Sequence, residues 1–66
     1  MMEFRQRLQQ LRTKKGISQK VLSELCGLYS DAVRRYENGA AEPTMHALVE
    51  LADYFGCSID YLVGRK

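Results

Sequence analysis

The groups in this chain that can do chemistry are ten Lys and Arg side chains, two cysteines and one histidine, and their spacing favours electrostatics over catalysis. Cys26 and Cys57 stand 31 positions apart with no Cys-x-x-Cys, and His46 is their one conceivable companion. Neither a zinc site nor a disulfide framework is indicated, so both read as reduced thiols. His46 reads as a surface residue. No nucleophile is paired with a base, and no two carboxylates share a site. Gly16, Gly27, Gly39, Gly56 and Gly64 read as helix stops or end residues, not as a phosphate-cradling loop. The expectation is a protein that is not an enzyme and that uses no metal or cofactor. The cations are unevenly placed: residues 1–41 hold eight Lys and Arg against four acids, residues 42–66 two against four. A basic face beside an acidic one steers a domain onto a polyanion in one orientation.

Two short helices joined by a tight turn must position the basic half. In the first, Leu22, Leu25 and Cys26 recur at helical spacing after Ser18, a good N-cap, and Gly27 stops the run. The predicted span is Gln19–Cys26. The second is predicted to start at Tyr29 or Ser30, with Ser30 as the alternative cap, and to end at Glu37. Ala32, Val33 and Tyr36 form its apolar face, and Asn38-Gly39 supplies the stop. Ser23 is small and midway along the first helix, where a crossing helix leaves little room. Together these features predict a helix-turn-helix over about residues 18–37.

Three further helices complete the reading. Helix one is predicted from Met2 or Glu3 to Lys15, burying Phe4, Leu8 and Leu11 at i, i+4, i+7, with Arg5, Arg7, Arg12, Lys14 and Lys15 on its other faces. After the connector 40–43, Thr44 caps a helix from Met45 to Phe55 whose Leu48, Leu51, Ala52 and Phe55 mark the central core element. Ser58 caps a fifth, short helix in which Ile59 and Leu62 close the core and Tyr61 and Val63 stay partly exposed. The expected architecture is all-α: a compact five-helix bundle, one domain over residues 1–66. A chain of this length buries only roughly 60% of its unfolded surface, which leaves little room for a deep catalytic cleft. No apolar run approaches the length of about 18 residues that a membrane span needs, and residues 1–12 lack a signal peptide's apolar segment, so a cytoplasmic location is expected.

The ordered set Gly16-Ile17-Ser18-Gln19, Leu22, Gly27, Val33, Tyr36-Glu37-Asn38-Gly39, Pro43, Leu48, Leu51-Ala52, Phe55-Gly56 and Leu62 resembles the Cro and phage-repressor type helix-turn-helix family, over about Leu8 to Leu62. The resemblance implies sequence-specific binding of double-stranded DNA and transcriptional regulation, most simply repression by a homodimer on a pseudo-palindromic operator. In that reading Ser30, Asp31, Arg34 and Arg35 face base edges in the major groove. Arg35 is the candidate for a guanine, and Asp31 either accepts from a cytosine amino group, stabilises the helix start, or holds Arg34 or Arg35 in place. Arg34 is also suited to a phosphate. Gln19, Lys20, Tyr29 and Asn38 are the phosphate candidates, Gln19 because free N–H groups at a helix start favour an anion. The resemblance also implies a salt bridge from Arg12 to Glu37, and a dimer contact near Tyr61 and Val63. Val21 and Leu25 stand where the family usually shows polar residues. An exposed apolar pair there keeps open another class of function, a protein-interaction module such as an antitoxin or adaptor.

Overall fold

The computed structural model describes residues 3–65, so a helix start at Met2 lies outside the described residues. Five helices follow in order: α1 (Phe4–Lys14), α2 (Gln19–Leu25), α3 (Ala32–Glu37), α4 (Met45–Phe55) and α5 (Ile59–Leu62). Three of them begin in the same way. Ser18, Thr44 and Ser58 have extended backbones, and each hydroxyl accepts the N–H three residues on, from Val21, Ala47 and Tyr61 at 3.1, 3.0 and 3.0 Å. Each bond satisfies one of the amides that a helix start leaves without a partner. α4 ends on Gly56 at φ 67°, a left-handed conformation in which a side chain is strained.

α3 departs from expectation. It starts at Ala32, two to three residues later than Tyr29 or Ser30, and neither the Ser30 nor the Asp31 side chain caps it. Tyr29 to Ala32 instead form a turn closed by the Ala32 N–H on the Tyr29 carbonyl at 2.9 Å. The physical reason lies in α2. Ser23 Oγ accepts the Val33 N–H at 3.0 Å and donates to the Gln19 carbonyl at 2.8 Å, within a fully buried side chain. A neighbouring helix therefore supplies the cap that α3's own sequence does not.

The core is built where these helices converge. Leu8, Leu22, Cys26, Val33, Leu51, Ala52 and Leu62 are buried together, with Phe4, Leu11, Tyr36, Leu48, Phe55 and Ile59 half-buried around them. α1 packs on α3 and α5, α2 on α3, and α4 on α5. The Phe4 and Tyr36 rings meet at 6.0 Å between centroids, joining α1 to α3. Among the described residues no helix is long and apolar enough to cross a membrane.

The two thiols occupy different depths. Cys26 is buried, with its Sγ donating to the Glu50 carbonyl at 3.8 Å, whereas Cys57 is half-buried. Burial raises the Cys26 thiol above its ordinary value, reinforced by the charge of Glu50. Burial also raises Cys57, opposed by Arg7. A raised folded pKa means that the unfolded chain releases the proton first. The contribution to stability is therefore full below the ordinary thiol pKa and is lost as pH climbs toward the folded value. At about pH 8 a water-soluble disulfide reagent should modify Cys57 first, and Cys26 only as fast as the chain opens. Equal native-state rates for the two would contradict this packing.

Candidate nucleic-acid interface

α3 has two faces because its periodicity gives it two. Ala32 and Val33 are buried against α2 and the core, while Arg34 and Arg35 are exposed; just before the helix, Ser30 is exposed in the turn and Asp31 is half-buried at the cap position. Asp31 Oδ2 lies 3.5 Å from Arg34 Nη2, with both side chains about half exposed, so of the alternatives open for Asp31 the structure displays its pairing with Arg34. An exposed pair of this kind contributes little to stability, about 0–1 kcal/mol. Arg35 has no acidic partner among the described residues, and its guanidinium fork is unengaged. Tyr29 projects from the turn before α3 with 88% of its surface exposed.

The candidate backbone contacts flank this face. Gln19 is the first residue of α2 and Lys20, beside it, is exposed. Asn38 follows α3, and its Oδ1 accepts the Ala40 N–H at 2.9 Å, so its side chain shapes the loop. Gly39, at φ 78°, closes the same loop with the Arg5 guanidinium against it: an added Cβ would lie 2.8 Å from Arg5 Nη1. The backbone angle favours glycine there, whereas the Arg5 guanidinium is the end of a flexible, half-exposed side chain that can move aside.

Behind the face, Arg12 and Glu37 form a two-pronged pair. Arg12 Nε donates to Glu37 Oε2 at 2.7 Å and Nη2 to Oε1 at 3.0 Å, while Nη1 donates to the Ile17 carbonyl at 2.9 Å. Only 13% of the Arg12 side chain and 4% of the Glu37 side chain reach solvent. The hydrogen bonds that Arg12 donates to Glu37 raise the Arg12 pKa further, against the opposing effect of burial. Gln19 Nε2 also donates to Glu37 Oε1, at 2.9 Å. One carboxylate thus ties the end of α3 to α1 and to the start of α2.

Elsewhere the structure separates residues that the sequence left unrelated or joined. Val21 and Leu25 are exposed, at 42% and 59%. His46 is also exposed. Tyr61 is 45% exposed, and its ring lies 3.9 Å from the Arg7 guanidinium carbon, while Val63 is half-buried. The stacking of Arg7 on Tyr61, the Arg5 contact with Gly39 and the Gln19 bond to Glu37 were not foreseen. Each joins residues distant in the chain, and no local pattern signals them.

A helix pair crossing at a buried serine, with one helix presenting an exposed basic face, defines a helix-turn-helix protein. The chain belongs to the helix-turn-helix family, whose sequence model matches residues 8–62. It is 37% identical over 60 residues to the SPbeta prophage-derived HTH-type transcriptional regulator YonR of Bacillus subtilis, covering 91% of this chain and 56% of that protein. It is also 37% identical over 65 residues to the HTH-type transcriptional activator BcrR of Enterococcus faecalis, covering 98% of this chain and 32% of that one. The chain thus spans about half the length, or less, of these curated relatives. Among solved structures, the P22 c2 repressor in complex with a synthetic operator is similar with a TM-score of 0.89 and 27% identity, covering 100% of both chains. A transcriptional regulator from Listeria innocua matches with a TM-score of 0.87 and 33% identity, over 97% of this chain and 60% of that one.

Proposed function

We propose that this chain binds double-stranded DNA sequence-specifically and regulates transcription, acting as a repressor from a dimer on a pseudo-palindromic operator. The observation that carries the reading is the division of α3: Ala32 and Val33 fix the helix while Arg34 and Arg35, with Ser30 in the turn before them, are exposed to solvent. The P22 c2 repressor, similar over the whole length of this chain, is in complex with a synthetic operator, which supports DNA as the partner. In this reading Arg35 contacts a guanine bidentately, Arg34 is steered by Asp31, and Ser30 completes the base contacts. Gln19, Lys20, Tyr29 and the loop at Asn38 grip the backbone and set register. A monomer of this size covers only a few base pairs, so specificity calls for two copies on half-sites about 34 Å apart, with Tyr61 and Val63 as the contact between them. The site of action is then the cytoplasm, where the DNA lies, and no catalytic step is required.

Selection from random duplexes tests the proposal. The enriched duplex should be two-fold symmetric, and affinity for it should fall steeply with log salt. Arg35→Ala should lower affinity by about 1–3 kcal/mol and relax one position of the motif, whereas Gln19→Ala should weaken all sequences alike. Wild-type affinity in both variants would overturn the assignment.

A further inference from the structure

We infer that Glu37 is a positioning residue for DNA binding that acts through Gln19, an inference that rests on the reading above. Glu37 itself makes no phosphate contact: its side chain is 4% exposed and its charge has the sign of the phosphate. Arg12 is nearly as withdrawn, with both prongs and its remaining nitrogen committed to Glu37 and to the Ile17 carbonyl. Gln19, half-buried, stands at the first position of α2, where the helix start leaves N–H groups free. A free glutamine side chain samples many rotamers, and fixing it on a ligand costs affinity. Here the bond from Nε2 to Glu37 Oε1 fixes it beforehand. The carboxylate that holds it is in turn fixed by Arg12, so the amide is presented on a chain of charge-assisted bonds running to α1.

The arrangement also links the two ends of the grip. Glu37 is the last residue of α3, and the loop of Asn38 and Gly39 begins at the next position. Through Glu37, the backbone contact at the start of α2 and the one after α3 share a single anchor. A shift of α3 in the groove therefore moves both.

A double-mutant cycle tests this on the duplex selected by the wild-type chain, with affinities corrected for the folded fraction measured by circular dichroism. Gln19→Ala should weaken binding up to about tenfold in the wild-type background. Arg12→Met combined with Glu37→Leu, which removes the acceptor and keeps an apolar packing pair, should produce a similar loss. Adding Gln19→Ala to that pair should then cost nothing more, and the slope of log affinity on log salt should stay that of the wild type. Glu37→Gln, which keeps shape and one acceptor oxygen, repeats the cycle with Arg12 in place and should show coupling of the same sign. Additive losses, or unchanged affinity in the Arg12→Met, Glu37→Leu pair, would overturn the inference and leave the DNA-binding reading standing. A salt slope reduced by about one would also overturn it, because Arg12 would then be touching a phosphate itself. A wild-type chain that selects no duplex would overturn both readings together.

Discussion

Arg12→Met alone, or Glu37→Leu alone, is expected to lower the stability of the domain by about 3–5 kcal/mol, and the two together should recover most of that loss. The asymmetry follows from burial. With 13% and 4% of the two side chains exposed, removal of either partner leaves a charge with little water to stabilise it. The remaining carboxylate would keep only Gln19, and the remaining guanidinium only the Ile17 carbonyl. Removal of both charges leaves neither demand. A small domain of this kind has little stability in reserve, so each single variant should lower Tm by roughly 15 °C or more. Urea melts of the four proteins in the cycle decide the matter. A single-variant loss below about 1 kcal/mol would place the pair with ordinary surface salt bridges.

The second large effect is expected at Ser23. Ser23→Ala should cost roughly 1–3 kcal/mol, because it leaves the buried Val33 N–H without its acceptor and α3 without its cap. Ser23→Val should cost more, since it enlarges a side chain that is fully buried between α2 and α3, at roughly 1–3 kcal/mol beyond the first loss. The order wild type, Ala, Val is the diagnostic result. If Val were equal to or more stable than Ala, the crossing of α2 and α3 would have room to spare and the hydroxyl alone would account for the serine.

These two sites also mark how far the sequence could be read. The starts of α2, α4 and α5 were legible because Ser18, Thr44 and Ser58 bond to amides three residues away, a relation visible in any short window. The start of α3 was not, because its cap comes from a residue ten positions earlier on another helix. The smallness of Ser23 was readable as a packing constraint, but its hydrogen bond was not. The two faces of α3 followed from periodicity. The pairing of Arg12 with Glu37 came from family resemblance, since 25 positions separate the two and spacing says nothing about them. The third partner, Gln19, reads from the sequence as a phosphate clamp, and its attachment to Glu37 emerges only when three helix ends meet.

The division of α3 has one more consequence, which concerns descent more than binding. Ser30, Arg34 and Arg35 support no packing: exchange of an exposed side chain with no partner, or with only the half-exposed Asp31 carboxylate as partner, usually shifts stability by no more than about 0.5–1 kcal/mol. Ala32 and Val33, one or two positions away, belong to the packed interior and tolerate no such freedom. Mutation can therefore rewrite the outward vocabulary of the helix while the scaffold stays as it is. If that face reads DNA as proposed, a lineage built on this chain can acquire new targets by a few surface changes, each passing through a folded ancestor.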